Sequence, residues 1–297
     1  MTGLIGLAEL FDLDRHDDDT WVGRTDGLRL PQLFGGQLVG QSVVAAAASV
    51  DGKDVHSTHT TFLRPGAAGT PVTFRVERLR DGRQISTREV SAWQDDRLLC
   101  RTVVSCAVRA DGISHSRPAP STARPDDCPD IREVAAADGG LGEFWDDFAS
   151  VEVRLAPDLP GRPAHSASPA NGVWMRSVDA LPDDPVVHRA AFAYASDLML
   201  MSTAVTPHGH VSGHERSLAS TWNAVSLDHA VWFRGTPRAD EWMLFEHTTP
   251  MAHAGRALIE AAVFDERGAS TGHVVQEALV KALRPAPSLH PHHEGHA

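Results

Sequence analysis

The segment His59-Thr60-Thr61-Phe62-Leu63-Arg64 returns as His229-Ala230-Val231-Trp232-Phe233-Arg234, an offset of 170 residues (59 to 229). Its surroundings return as well. After the first copy come Pro65-Gly66, an extended run from Val72 to Leu79, the turn Asp81-Gly82-Arg83 and a second run from Ile85 to Trp93. After the second come Gly235-Thr236-Pro237, a run from Trp242 to His247, the turn Ala254-Gly255-Arg256 and a run from Ala257 to Phe264. A helical pattern precedes each copy, taken from Gln37 in one and from Asp197 in the other, so these two residues fall in corresponding places. Solenoids repeat every ~20–50 residues. A period this long is one domain fold present twice. Such halves bury a shared interface, and a site needed once can survive in one half after decaying in the other.

The 297 residues suit two units of roughly 100–200 residues each. The expected division is an N-terminal unit over 1–112, a linker with a short helix (Leu141 to Phe148) over 113–150, a second unit over 151–284, and a disordered Pro- and His-rich tail over 285–297. In the first unit Gln37 to Val50 is apolar on most faces, which predicts a helix buried on most faces. Strand patterns cover Ser57–Arg64, Pro71–Leu79, Gln84–Gln94 and Leu98–Val108, with turn residues between them, as in an antiparallel meander. One buried helix and a meander of long strands predict an α+β unit whose sheet wraps the helix. The second unit repeats this, with a helix over Pro185–Val205 and strands over Thr221–Arg234, Glu241–Thr248, Arg256–Asp265 and Gly272–Leu283.

Several classes of function are disfavoured. The net charge of −12 argues against a nucleic-acid binder held by phosphate neutralisation. Cys100, Cys106 and Cys128 form neither a disulfide framework nor a zinc knuckle. Neither a signal-peptide pattern nor a membrane-length apolar run occurs, and the chain does not end in Ser-Lys-Leu, so a reducing, cytoplasmic setting without membrane attachment is expected. Gly35-Gly36-Gln37-Leu38-Val39-Gly40 lacks the spacing and βαβ context of a dinucleotide loop. Asp12, Asp14 and Asp17 lack the turn glycine of a calcium loop. No cofactor and no metal are therefore expected.

Three places carry candidate chemistry. Ser226-Leu227-Asp228-His229 invites a triad, but strand alternation puts Ser226 and Asp228 on one face and His229 on the other. His229 and its repeat mate His59 then read as histidines bonded to backbone beside a sheet. Asp197 lies in Tyr194-Ala195-Ser196-Asp197-Leu198-Met199, either as a first-turn acid behind a Ser196 cap or as a catalytic carboxylate. Its mate Gln37 favours the second reading, because a cap would be needed in both halves. Gln276, amid apolar strand residues, either faces outward or needs partners for both ends of its amide.

Phe34-Gly35-Gly36-Gln37-x-x-Gly40-Gln41, His59-x-x-Phe62-Leu63-Arg64-Pro65-Gly66, Tyr194-Ala195-Ser196-Asp197-Leu198, Leu227-Asp228-His229-x-x-Trp232-Phe233-Arg234 and Val275-Gln276-Glu277 resemble, in order and across nearly the whole chain, the acyl-CoA thioesterase II family. The resemblance implies a double hotdog: two antiparallel sheets, each wrapped around a central helix, fused in one chain. It implies hydrolysis of fatty acyl-CoA by a water held at Asp197, Ser226 and Gln276, all in the second unit, without an acyl-enzyme. Ser226 stands where many bacterial relatives have Thr. The expected partner is the acyl-CoA substrate, and a homo-oligomer is compatible with this reading. Two other readings stand beside it: a hotdog protein that binds acyl-CoA or acyl carrier without turnover, and a hotdog hydratase or dehydratase. The latter wants an Asp/His pair, and no histidine lies within the turn after Asp197.

Overall fold

A computed structural model of the chain describes residues 4–28, 30–137, 139–142, 148–156 and 170–283. The tail, the Pro157–Pro169 stretch and residues 143–147 of the expected linker helix lie outside the described residues. The first half contains α1 (Leu7–Leu10), β1 (Asp14–Arg15), β2 (Thr20–Gly23), α2 (Gly35–Ala48), β3 (Asp54–Phe62), β4 (Val72–Asp81), β5 (Ile85–Gln94) and β6 (Arg97–Ala107). In the linker, α3 (Ile131–Ala136) starts where the Asp130 carboxylate accepts the Arg132 N–H at 2.8 Å. The second half contains β7 (Val151–Leu155), β8 (Ala170–Ser177), α4 (Pro185–Ser196), α5 (Leu200–Val205), α6 (Glu215–Thr221), β9 (Trp222–Ser226), β10 (Asp228–Phe233), β11 (Met243–His253), β12 (Arg256–Asp265) and β13 (Ser270–Ala282).

The two meanders join edge to edge through the antiparallel pair β3–β10, giving one sheet of order β1-β2-β4-β5-β6-β3-β10-β13-β12-β11-β8-β7, with β9 also on β13. Alternation along β5 and β12 turns every second side chain inward. Those inner faces cover α2, buried continuously from Gly36 to Val43, and α4, buried from His188 to Ser196. Phe192 of α4 packs on Phe233 and Phe245 at 5.5 and 5.6 Å between ring centroids. Full burial of such a side chain contributes about 1.5–3 kcal/mol. The expected α+β double hotdog is this architecture, with its two sheets merged into one.

Four local expectations are corrected. The helix expected over Pro185–Val205 is two helices. α4 ends at Ser196 with Asp197 as its C-cap, and Met199 takes a left-handed φ of 65° before α5 begins. A non-glycine residue held there is strained by about 1–3 kcal/mol. Asp197 therefore closes a helix and does not open one.

The strand expected over Thr221–Arg234 is interrupted at Leu227. Ser226 stands opposite Ala278 but Ala230 stands opposite Val275, so four steps on one strand face three on the other. The extra residue inverts the alternation and brings His229 inward, onto the side of Ser226.

The repeated histidines are not mates in space. His229 lies opposite Thr60, and His59 opposite Ala230. Residues directly opposed share a face, so His59 is exposed whereas His229 is wholly buried.

Gln37 is likewise not the counterpart of Asp197. Five residues (49–53) join α2 to β3, whereas twenty-five (197–221) separate α4 from β9, so one offset cannot align both helix and strand. The C-cap of α2 is Ser49, and this is the residue that matches Asp197. Gln37 belongs to the fold: its Oε1 accepts the Asp26 N–H, and its Nε2 donates to the Arg24 carbonyl and to Gln41 Oε1, each at 3.1 Å. Gln37→Ala leaves the buried Asp26 N–H unpaired, while Gln41 still donates to the Arg24 carbonyl, and is expected to cost ~1–3 kcal/mol in urea unfolding; an unchanged midpoint would contradict this role.

Candidate active site

The helices α2 and α4 run antiparallel in close contact because their facing residues are small. A Cβ on Gly36 would stand 2.5 Å from the Tyr194 carbonyl oxygen, and one on Gly40 2.8 Å from that of Ala190. The N-terminus of α2 thus abuts the C-terminus of α4. Asp197, leaving α4, turns its carboxylate onto that N-terminus, 2.8 Å from where a Gly35 Cβ would lie, and accepts the Gly36 N–H. The Gly35-Gly36 pair is the close approach that this contact requires. Asp197 accordingly feels the negative end of its own helix and the positive end of the other.

Gln276 faces inward from β13 and is wholly buried. Its Nε2 donates to Ser226 Oγ at 3.2 Å and to Asp197, while its Oε1 lies 2.5 Å from His229 Nδ1. With both amide hydrogens engaged, Oε1 must accept, so His229 carries its proton on Nδ1. His229 Nε2 lies 2.9 Å from Ser196 Oγ, whose one hydrogen is shared between that nitrogen and the Ala193 carbonyl, also at 2.9 Å. The structure therefore brings Asp197, Ser226 and Gln276 together, and it adds His229, Ser196 and the Gly36 N–H. The amino-acid pattern placed His229 outside because the extra residue at Leu227 leaves no mark in it.

Burial governs the electrostatics. It pushes the Asp197 carboxyl up to about 7, against the Gly36 N–H and the Gln276 amide, which favour the anion. It pushes His229 down to about 4, so the ring is neutral near pH 7, and its Nδ1, 3.9 Å from Asp197 Oδ1, offers that carboxylate no positive charge. Asp197 is thus a carboxylate poised to exchange a proton near neutrality.

The equivalent end of α2 in the first half is filled. Arg88, 1% exposed, bonds through its guanidinium to Ser49 Oγ and carbonyl, to the Arg80 and Thr87 carbonyls and to Asp81. The helix start at that end, that of α4, is capped by its own Asp184, whose carboxylate accepts the Val186 N–H at 2.8 Å.

Asp197 and Ser226 open onto a cavity of about 640 Å³ whose other walls include Leu33, Phe34, Met199 and Met201. An apolar chain and a polar reacting end both find a place in it. Among the described residues no group of three or more His, Cys, Asp or Glu could hold a metal ion, and no helix is long and apolar enough to cross a membrane.

Comparison with known proteins bears on this geometry. The family described as "Acyl-CoA thioesterase N-terminal domain" matches residues 29–110, and that described as "Acyl-CoA thioesterase C-terminal domain" matches residues 125–280. Acyl-coenzyme A thioesterase 8 of Rattus norvegicus is 30% identical over 93% of this chain and 89% of its own. Acyl-CoA thioesterase 2 of Haemophilus influenzae is 28% identical over 94% and 98%. Among solved structures, the acyl-CoA thioesterase II TesB2 from Mycobacterium marinum is 35% identical, with a TM-score of 0.76 over 95% of this chain and 99% of that one.

Proposed function

The chain belongs to the acyl-CoA thioesterase II family of thioester hydrolases, and from that premise we propose that it hydrolyses fatty acyl-CoA to free fatty acid and CoA at Asp197, Ser226 and Gln276. The observation that carries this reading is a buried carboxylate, with its pKa raised to about 7, beside a hydroxyl at the mouth of an apolar cavity. Asp197 takes a proton from a water as that water attacks the thioester carbonyl. Ser226 orients the water, and Gln276 holds Ser226 and Asp197 on either side of it. The collapsing intermediate expels the CoA thiolate, which receives the proton from Asp197. Gly35, which lines the cavity in the first turn of α2, belongs to a set of N–H groups without intrahelical acceptors, suited to the developing oxyanion.

Ser226 acts here as a hydrogen-bonding group and not as a nucleophile. His229 is near, yet both its nitrogens are engaged, by Gln276 and by Ser196, so Ser226 has no free imidazole base. The same engagement weighs against a hydratase: the Asp/His pair absent from the local spacing exists in space, but the histidine has no nitrogen left for substrate. The working division into 1–112, 113–150, 151–284 and 285–297, with the whole catalytic set in the third part, and a reducing cytoplasmic setting suited to three buried free cysteines, belong to this proposal.

The test is free-thiol release across acyl-CoA chain lengths, with and without exhaustive EDTA treatment. Activity is expected to withstand chelation. Ser226→Thr should retain substantial activity, and Ser226→Ala should lose several-fold to ~10²-fold. No thiol burst and no acyl adduct in quenched mass spectra are expected. An adduct that disappears in Ser226→Ala would replace this mechanism with covalent catalysis.

A further inference from the structure

A side-chain amide has nearly the same shape either way round, but its two ends have opposite polarity. Gln276 can donate to Ser226 and Asp197 only if its oxygen points away from them. The group on that oxygen is His229 Nδ1, at 2.5 Å. Both side chains are wholly buried, so solvent does not compete for the contact. Burial also pushes the His229 ring down to about 4, and a ring that is neutral near pH 7 carries a single N–H.

Two arrangements would satisfy the ring. With the proton on Nδ1, the ring donates to Gln276 Oε1, and the amide NH₂ faces Asp197 and, at 3.2 Å, Ser226 Oγ. With the proton on Nε2, the ring would donate to Ser196 Oγ, whose own hydrogen would go to the Ala193 carbonyl at 2.9 Å. Nδ1 would then accept from the amide, and Oε1 would turn toward the Asp197 carboxylate. Ser196 suits both arrangements and does not choose between them. Asp197 does, because the second sets a carbonyl oxygen against a buried anion and takes away the hydrogen that the anion accepts from Gln276.

We infer that His229 is a positioning residue for the hydrolysis: its Nδ1–H locks the Gln276 amide with the NH₂ toward Ser226 and Asp197, so that the tautomer of one ring sets the polarity of the water site. The inference rests on the hydrolase reading of that site. His59, which shares the motif of His229, does not serve in this way, since it is exposed on the other face of the sheet, edge-on to Trp232 at 5.1 Å between ring centroids.

The test follows the full chain, labelled with ¹⁵N-histidine, by long-range ¹H–¹⁵N NMR near neutral pH. The His229 ring, assigned by its loss in His229→Asn, is expected to be neutral and protonated on Nδ1. This is read on the wild type and decides the matter even where a variant fails to fold. Kinetics and ¹³C NMR titration of the Asp197 carboxyl then compare the wild type with His229→Phe and His229→Asn, each checked by thermal melting. His229→Phe frees the amide to turn, so kcat should fall ~10-fold or more with KM within a few-fold. The Asp197 midpoint should move upward as its donor is lost. His229→Asn, whose amide nitrogen stands as many bonds from Cβ as Nδ1 does, should recover most of both. Added to Gln276→Leu, His229→Phe should lower kcat by no more than about two-fold, because the group it acts through is gone. A ring that only fills space would lower Tm and leave the midpoint in place. Absent hydrolysis with the expected tautomer and midpoint shift would defeat the hydrolase reading alone. A proton on Nε2, or an Asp197 midpoint that His229→Phe leaves unmoved, would overturn the inference about His229.

Discussion

Asp197→Asn is expected to lower kcat by at least ~10²-fold, the lower range for a positioned acid–base group, while leaving the cavity in place. The asparagine oxygen can still accept the Gly36 N–H, but it cannot take a proton from water. For the wild type, kcat/KM should rise with pH about a midpoint near 7, because the ionised carboxylate is the active form and burial has raised its pKa to about 7. The same burial predicts opposite behaviour of stability. The unfolded chain releases this proton near 3.8 and the folded one near 7. Between those values the unfolded state has lost a proton that the folded state still binds, so stability falls as pH rises through the window. Above about 7 the loss is complete and amounts to at most roughly 4 kcal/mol, at 1.4 kcal/mol per unit. Asp197→Asn removes this penalty, so its Tm should exceed that of the wild type at pH 8, and the gap should close at pH 4. A variant within ten-fold of wild-type kcat, or a Tm gap that does not depend on pH, would contradict the assignment.

The second large effect is expected at Gln276. Gln276→Leu keeps most of the volume and removes three hydrogen bonds at once: to Ser226, to Asp197 and to His229. The lost positioning should reduce kcat by ~10²-fold. Leaving His229 Nδ1–H unpaired in the interior should cost ~1–3 kcal/mol of stability. One readout separates positioning from mere destabilisation. Because the amide favours the Asp197 anion, its loss should move the midpoint of the pH–rate profile upward. A midpoint that stays in place, with kcat within a few-fold of wild type, would mean that Gln276 supports the sheet and not the chemistry.

The fold was legible because its signals lie close together in the chain. Alternation along the strand runs, the largely apolar stretch from Gln37 to Val50 and the turn residues at Asp81-Gly82 and Ala254-Gly255 are local signals, and a duplicated order of such signals specifies a duplicated α+β unit. Asp197, Ser226 and Gln276 were brought together in the sequence by resemblance to the acyl-CoA thioesterase II family. Their geometry was not legible there. Asp197 looked like the start of a helix because the acid follows a serine and precedes apolar residues, a pattern that a helix end followed by a left-handed Met199 also produces.

What the amino-acid sequence determined by itself is the number of units, their element order and the residue types available to the site. What only the tertiary structure decided is which groups meet. The single extra residue at Leu227 reverses the facing of His229, and no periodicity can register a shift of one in a strand whose partner lies about fifty residues away. The glycine pair at 35 and 36 has its meaning from α4, some 160 residues distant, whose end it admits. The pKa of Asp197 follows from the same contact, since desolvation and the opposing helix start belong to neighbours brought in by the fold and not to the residues beside it in the chain.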